Sequence, residues 1–172
     1  ATLVVGYIFS GIVKFKKADI LDSYKRFDFE EFKFAVLVAA PGVILHELSH
    51  KFVAIGLGLS AVFQIWPTGL ILGVVMKLLN SPLVLVTPGY VSIEGANTIE
   101  FVLTAFAGPF VNLVLWIGAS FLLSKKIDMG KKSTLVLLLT KEVNKWLFIF
   151  NMIPIPPLDG SKVLYPLFGA LF

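Results

Sequence analysis

The sequence predicts an all-α, polytopic membrane protein, and three observations support that fold class. Hydrophobic residues make up 57% of the 172-residue chain and charged residues only 15%, whereas soluble domains are about half apolar and a quarter charged. The mean hydropathy is +0.88, and the apolar residues form long runs, as helices in lipid do. Most charged residues lie in the breaks between these runs. We therefore expect a single membrane domain over residues 1–172.

Three of the apolar runs are long enough to cross a bilayer, which requires about 20 residues in a helix. They predict core transmembrane helices at about 34–59, 99–123 and 134–153. The last run ends before Pro154, and proline stops a helix because it lacks the N–H donor. The apolar runs at 2–13 and 163–172 are shorter. They predict partial flanking helices of a chain that is cut at both ends.

The segment at about 61–97 predicts a small membrane-associated β or re-entrant element. Its first part is apolar enough to span, but Pro67, Gly69 and Gly73 interrupt it. Its second part contains two short strand-like runs, Leu83–Val86 and Tyr90–Ile93, bracketed by proline and glycine.

The distribution of positive charge predicts how often the chain crosses the membrane. The loops at 14–33 and 125–132 hold ten of the fifteen Lys and Arg residues. Loops rich in these residues share a side of the membrane, so we expect an even number of crossings between them. The helices at 34–59 and 99–123 supply two crossings, and 61–97 therefore enters the membrane and returns.

The overall charge and the absence of cysteine limit the possible functions. A net charge of +4 could indicate nucleic-acid binding, but lysines beside apolar runs are explained by lipid headgroups. We expect a lipid bilayer as partner and no nucleic acid. With no cysteine, disulfides, thiolate metal sites and a cysteine nucleophile are excluded, so histidine and carboxylate groups must bind any metal.

The first predicted helix contains the sequence His46-Glu47-Leu48-Ser49-His50, an H-E-x-x-H motif. Residues i and i+4 of a helix face the same way, so both imidazoles can reach one zinc ion while the glutamate acts as general base. The alternative is a pair of structural histidines. These are the only histidines of the chain, and they lie inside an apolar run, where ionisable groups indicate function. The motif therefore predicts one zinc ion per chain.

Two histidines leave a catalytic zinc ion short of a third protein ligand. Asp159 is the best candidate, since it follows a proline-rich segment after the third predicted helix. From the residues alone, a helix N-cap or a turn aspartate is equally possible, because Asp-Gly is common in turns. Glu94 and Glu100 are weaker candidates, expected at the membrane surface.

Together these segments resemble the site-2 protease family of intramembrane zinc metalloproteases. The H-E-x-x-H motif is joined by residues 151–160, Asn-Met-Ile-Pro-Ile-Pro-Pro-Leu-Asp-Gly, and by residues 107–112, Ala-Gly-Pro-Phe-Val-Asn, in the order found in that family. The resemblance covers roughly residues 36–162. It implies that His46, His50 and Asp159 bind the metal and that Glu47 is the catalytic acid and base.

The resemblance also implies roles for residues around the metal. Asn151 would lie close to the metal and bind the developing oxyanion, although interhelical hydrogen bonding or a helix C-cap explains it equally well. Gly108 and Asn112 are expected to be structural, and Asn144 to extend a polar stripe from Asn151 towards the site. The segment Tyr90, Val91, Ser92 and Ile93 resembles the re-entrant strand that pairs with an unwound substrate.

The predicted function is hydrolysis of peptide bonds in or near the transmembrane segments of membrane-protein substrates, as in regulated intramembrane proteolysis. A non-proteolytic membrane scaffold of the same fold is the main alternative. A transporter and a membrane metalloprotease with other substrates are two more. Sidedness stays open, because the lysine-rich loops predict the orientation opposite to that implied by the family.

Overall fold

The computed structural model describes residues 29–79, 89–125 and 127–169. Five helices and two strands follow in chain order: α1 (Phe29–Gly56), β1 (Ser60–Ile65), α2 (Pro67–Leu78), β2 (Gly89–Glu94), α3 (Thr98–Ser124), α4 (Gly130–Asn151) and α5 (Asp159–Gly169). The chain forms two compact units, one of Ala1–Pro41 with Ile65–Gly89 and one of Gly42–Gln64 with Tyr90–Phe172. All of the candidate site residues lie in the second unit.

Each of the three predicted core helices is present, with shifted ends. The first begins at Phe29 rather than at 34, so α1 includes the end of the predicted charged loop. Two helical segments, Val36–Gly56 and Thr98–Ser124, are long and apolar enough to cross a membrane. The third helix, Gly130–Asn151, begins inside the predicted lysine-rich loop, and its crossing of a membrane stays a prediction.

The segment predicted as a β or re-entrant element contains a strand, a helix and a second strand. Ser60–Ile65 and Gly89–Glu94 pair in a two-stranded sheet, and Tyr90 donates a hydrogen bond to Gln64 across it at 2.9 Å. Pro67 separates β1 from α2 and begins the helix, because the first position of a helix needs no N–H donor. The predicted interruption at Pro67 and the predicted strand at Tyr90–Ile93 are therefore present, whereas entry of the segment into a membrane stays a prediction.

Several predictions fall outside the described residues. These are the apolar run at 2–13, the loop from 14 up to residue 28, the strand at Leu83–Val86 and the last three residues of the chain.

Local sequence signals determine where the two longest helices start and stop. α1 ends before Gly58, whose φ of +77° is the left-handed conformation that glycine adopts without strain. The Leu59 N–H then donates to the Ala54 carbonyl at 2.9 Å, closing the helix end. At the start of α3 the Asn97 side chain accepts from the Ile99 and Glu100 N–H groups, and the Glu100 carboxylate accepts from the Asn97 N–H. This capping box fixes the start of α3.

The second unit is built around α3, which packs against α4 and α5. Its most deeply buried large residues are mostly polar. Asn112, Asn144 and Thr104 are no more than 1% exposed. Large apolar side chains instead lie on the outside of the long helices, for example Phe52 (65% exposed) and Phe121 (58%). The largest fully buried side chains are thus mostly polar, while many large apolar side chains are exposed; in soluble proteins, large apolar side chains are more often buried.

Candidate metal centre

Two histidines of α1 form the first half of the site. His46 and His50 are one helical turn apart, so their side chains project from the same face. Both are buried, and their rings meet edge to face with centroids 4.8 Å apart. The two Nε2 atoms are 3.1 Å from each other. The H-E-x-x-H spacing thus brings together two nitrogen atoms that can bind one ion.

The third group comes from α5. Asp159 is the first residue of that helix, and its Oδ2 lies 3.1 Å from Nε2 of His46 and 3.2 Å from Nε2 of His50. The three atoms therefore form a nearly equilateral triangle. Both carboxylate oxygens contact side chains, Oδ2 those of the histidines and Oδ1 that of Lys162. This arrangement favours the ligand interpretation of Asp159 over a helix cap, in which a carboxylate accepts from backbone N–H groups.

The partners of the two Nδ1 atoms determine the protonation of the rings. His50 Nδ1 lies 2.7 Å from the Thr104 carbonyl oxygen, which can only accept, so His50 donates. His46 Nδ1 lies 2.6 Å from Asn112 Oδ1. Since the Asn112 amide nitrogen donates elsewhere, to the Gly42 carbonyl and to Asn144, this oxygen accepts and His46 also donates. In the neutral rings, both Nε2 atoms therefore carry a lone pair that points into the triangle.

The charge of Asp159 adds a negative corner to the triangle. The side chain that carries this carboxylate is buried. A buried carboxylate and two imidazole lone pairs within 3.2 Å of one another repel each other. A cation between them removes the repulsion.

The donor set fits zinc. Zinc accepts two imidazole nitrogens and one carboxylate oxygen in catalytic sites, at bond lengths of about 2.0–2.2 Å. Tetrahedral bonds of that length place neighbouring ligand atoms about 3.3–3.6 Å apart, slightly farther than the 3.1 and 3.2 Å observed. Calcium and magnesium prefer oxygen ligands and more of them. His46, His50 and Asp159 could therefore hold one zinc ion.

A glycine of α3 leaves the space that the imidazoles occupy. A Cβ atom on Gly108 would lie 2.7 Å from Nε2 of His46 and closer still to Nε2 of His50. No side chain can occupy that position without displacing the two Nε2 atoms. Gly108 therefore has a steric role in the site.

A second glycine places Asp159. A Cβ atom on Gly160 would lie 2.5 Å from the carbonyl oxygen of Met152 and 2.6 Å from that of Ile153. The start of α5 is thus packed directly on the backbone that follows α4. Tyr165 of α5 also donates a hydrogen bond to the Pro154 carbonyl at 2.7 Å. The Asp-Gly pair serves this close approach of two backbone segments rather than a turn.

Two asparagines connect the metal-binding face of α1 to α3 and α4. Asn112 of α3 donates to the Asn144 side-chain oxygen at 2.8 Å, and Asn144 of α4 donates to the Thr140 carbonyl at 2.8 Å. A hydrogen-bonded row therefore runs from α4 to Nδ1 of His46. Metal-bound histidines usually donate their second N–H to such a partner, which orients the ring.

Glu47 lies beside the triangle. It follows His46 in α1 and is half-buried. Its carboxylate interacts electrostatically with Asp159 and Lys162, and its role as general base stays a prediction.

The comparisons with known proteins agree with this geometry. A protein of Methanocaldococcus jannaschii described as a putative zinc metalloprotease is 32% identical over 167 residues, which cover 89% of this chain and 86% of that protein. The chain belongs to the family of this archaeal metalloprotease. No protein-family model and no solved structure matches the chain.

In this member of the metalloprotease family, the predicted oxyanion-binding residue ends a helix. Asn151 is the last residue of α4, and its amide nitrogen donates to the Leu147 carbonyl at 2.9 Å. That bond lies within the helix. The oxyanion role stays a prediction, and the second N–H of the amide is the donor that it would use.

The other predicted residues occupy defined positions. Tyr90 to Ile93 lie in β2, paired with β1. Glu100 is used in the capping box of α3, and Glu94 is exposed. Neither glutamate belongs to the group that could hold a metal.

Three further features of the site were missed in the sequence. Thr104 contributes a backbone carbonyl, so its side chain gives no signal. Gly42 lies against the asparagine row, since a Cβ atom there would be 2.8 Å from Asn144 Oδ1. Lys162 contacts Asp159, and its i+3 spacing from an aspartate in a helix was the signal that could have revealed it.

Proposed function

We propose that the chain is an intramembrane zinc metalloprotease of the site-2 protease type. The supporting observation is the triangle of His46 Nε2, His50 Nε2 and Asp159 Oδ2, with sides of 3.1 to 3.2 Å. The Nε2 lone pairs of the two histidines point into the triangle, and the hydrogen bonds of their Nδ1 atoms orient both rings. The metalloprotease relative supports the reaction class.

The proposed reaction is hydrolysis of a peptide bond by water. Zinc bound in the triangle would lower the pKa of a water molecule towards 7 and polarise the substrate carbonyl. The Glu47 carboxylate accepts a proton as the water attacks and delivers it to the nitrogen of the leaving amine. His46, His50 and Asp159 keep their positions, since His46 and His50 are held by Asn112 and Thr104 and Asp159 by Lys162.

The distribution of apolar surface supports a location in the bilayer. Val36–Gly56 and Thr98–Ser124 are long and apolar enough to cross, and their large apolar side chains point outward. In lipid, helices associate through small and polar residues rather than through large apolar ones. The buried Ala105, Ala107, Gly108, Asn112 and Ala119 of α3 fit that pattern. The metal ligands would then lie within the membrane, beside transmembrane substrates.

A third crossing by α4 is part of the proposal. The helix has 22 residues, or about 33 Å at 1.5 Å per residue, enough for a bilayer core. Its central charges are paired, because Glu142 contacts both Lys145 and, at 3.6 Å, Lys141. Pairing reduces the cost of placing these groups near lipid.

The substrate is proposed to be the unwound part of a transmembrane segment. The segment Tyr90–Ile93 lies in a two-stranded sheet, and such a sheet offers backbone donors and acceptors to an added strand. This supports the prediction that β2 or its partner receives the substrate, and Asn151 is proposed to bind the oxyanion.

The test is a comparison of zinc content and cleavage for purified protein in lipid vesicles with a transmembrane substrate. We expect about one zinc ion per chain, because the described part of the chain contains one group of three side chains that could bind it. Asp159→Ala should lose the zinc. Glu47→Gln should keep it and cleave at least about 100-fold more slowly, the usual contribution of a general base.

A matched control is Glu142→Gln, which neutralises a glutamate of α4 that contacts lysines rather than the metal ligands. It should retain zinc and most of the activity. Zinc binding without cleavage by the unchanged protein would contradict the protease and favour a membrane scaffold, whereas full cleavage by Glu47→Gln would contradict the role of Glu47 as general base.

A further inference from the structure

The two oxygens of the Asp159 carboxylate have different partners. Oδ2 faces the two imidazoles at 3.1 and 3.2 Å, and Oδ1 lies 3.1 Å from the ammonium nitrogen of Lys162. The carboxylate is nearly enclosed, with 10% of the side chain exposed, whereas Lys162 is 36% exposed. The lysine therefore approaches the carboxylate from the outer side, opposite the histidines.

We propose that Lys162 is a positioning residue that keeps Asp159 a one-oxygen ligand of the metal. The inference rests on the proposed zinc site. A carboxylate can bind a metal through one oxygen or through both. Catalytic zinc keeps its fourth position for water, and a second carboxylate oxygen bound beside that water would make the ion five-coordinate. An ammonium group held on Oδ1 prevents this.

The strength of the contact is sufficient for that role. A hydrogen bond between two charged groups is roughly twice as strong as one between neutral groups, and the carboxylate end of this one is buried. The position of Lys162 in the helix also favours this contact. Lys162 is three residues after Asp159 in α5, so both side chains lie on one face of the same helix.

The close packing of α5 fixes the backbone of Asp159 but not the rotation of its carboxylate. Gly160 touches the backbone at Met152 and Ile153, which sets the position of the Asp159 backbone. The side chain can still rotate about its last bond, which exchanges Oδ1 and Oδ2. The Lys162 ammonium on one oxygen and the imidazoles on the other remove that freedom.

The test uses cobalt, which replaces zinc and reports its coordination number by visible absorption. We compare full-length protein in detergent with Lys162→Met and Lys162→Arg. The unchanged protein and Lys162→Arg should give the strong absorption of four-coordinate cobalt. Lys162→Met should bind cobalt, give the weaker spectrum of a five-coordinate ion, and, as the zinc form, cleave at least about 10-fold more slowly, the lower limit for lost outer-shell contacts.

Lys141→Met is the matched control, since Lys141 contacts Glu142 of α4 rather than a metal ligand. Its cobalt spectrum should equal that of the unchanged protein. If Lys162→Met does not fold, Lys162→Gln takes its place, because the shorter neutral amide cannot hold Oδ1 as an ammonium does. If the cobalt spectrum of Lys162→Met, or of Lys162→Gln in its place, equals that of the unchanged protein, the role of Lys162 is overturned and the metal site stands. Failure of the unchanged protein to bind cobalt or zinc overturns the metal site and this inference together.

Discussion

The Nδ1 atom of His46 lies 2.6 Å from the side-chain oxygen of Asn112, a residue of another helix 66 positions later. The orientation of Asn112 is determined by its own donors, which contact Gly42 and Asn144. Its oxygen must therefore accept the His46 N–H, which leaves a lone pair on Nε2 of His46, the atom proposed to bind the metal. The tautomer of this proposed ligand on α1 is thus set by residues of α3 and α4.

Replacing Asn112 tests this relationship. Asn112→Leu keeps the approximate volume but removes the acceptor, so His46 is free to rotate or to change tautomer. We expect zinc affinity to fall about 10- to 100-fold, as for other outer-shell partners of metal-bound histidines. Competition with a chelator of known affinity measures the change.

The control for that experiment is Asn112→Asp. It retains an oxygen acceptor for the His46 N–H while losing the donors to Gly42 and Asn144. Zinc affinity nearer to that of the unchanged protein than to that of the leucine variant is the expected result. Equal affinity in the leucine variant and the unchanged protein would show that Asn112 does not orient His46.

The space at Gly108 gives a steric prediction. A Cβ atom there meets Nε2 of both His46 and His50, so Gly108→Ala should displace the two ligands and abolish stoichiometric zinc binding. Gly118→Ala is the control on the same helix, because no atom lies within 4 Å of its added Cβ. It should bind zinc normally, and glycine-to-alanine changes inside helices favour the helix by about 1 kcal/mol. Zinc content is measured by mass spectrometry, and a Gly108→Ala protein with one zinc ion per chain would contradict the geometry.

The sequence predicted the parts of the site that depend on local spacing. His46 and His50 follow from the helical repeat, and the long helices follow from the length of the apolar runs. From the residues alone, Asp159 was as compatible with a turn as with a metal ligand, because its proximity to the histidines depends on tertiary packing. The sequence could not predict the contact of the Thr104 carbonyl with His50, since every residue has a backbone carbonyl.

Between α1 and α3, the sequence predicted a β element but did not locate its first strand or the helix α2. Residues from 61 onward are apolar enough for a helix, but a short apolar run is equally compatible with a strand, and Ser60–Ile65 is a strand. Proline at 67 was interpreted as an interruption, although proline is also favoured at the first position of a helix. In both cases the sequence signal is ambiguous, and packing decides.

The contact of Gly160 with the end of α4 predicts a loss of stability. Gly160→Ala forces a methyl group against the carbonyl oxygens of Met152 and Ile153, and such overpacking costs about 1–3 kcal/mol. The thermal midpoint of unfolding in detergent should fall, and zinc should be bound more weakly because Asp159 moves. Gly169→Ala, in the same helix but with no atom within 4 Å of the added Cβ, should unfold at the same temperature as the unchanged protein. Equal midpoints for the two variants would refute the close contact.

The number of crossings can be measured directly, because a chain without cysteine gives no background for thiol labelling. Leu57 follows α1 and Glu94 precedes α3, and both are exposed, while Lys125 follows α3. If α3 crosses the bilayer and the segment before it returns to its side of entry, a membrane-impermeant maleimide should label Leu57→Cys and Glu94→Cys from one side. Lys125→Cys should react only from the other side. Labelling of Leu57→Cys and Glu94→Cys from opposite sides would show that the intervening segment crosses the membrane.

The same method tests the proposed third crossing. Ile155 follows α4 and is 60% exposed, so Ile155→Cys should react from the side that labels Leu57→Cys. Ile127→Cys, which precedes α4 and is 55% exposed, should react from the side that labels Lys125→Cys and serves as the matched control. If Ile155→Cys and Ile127→Cys react from the same side, α4 lies along the surface. The charges of Lys141, Glu142 and Lys145 would then face water rather than pair within the bilayer.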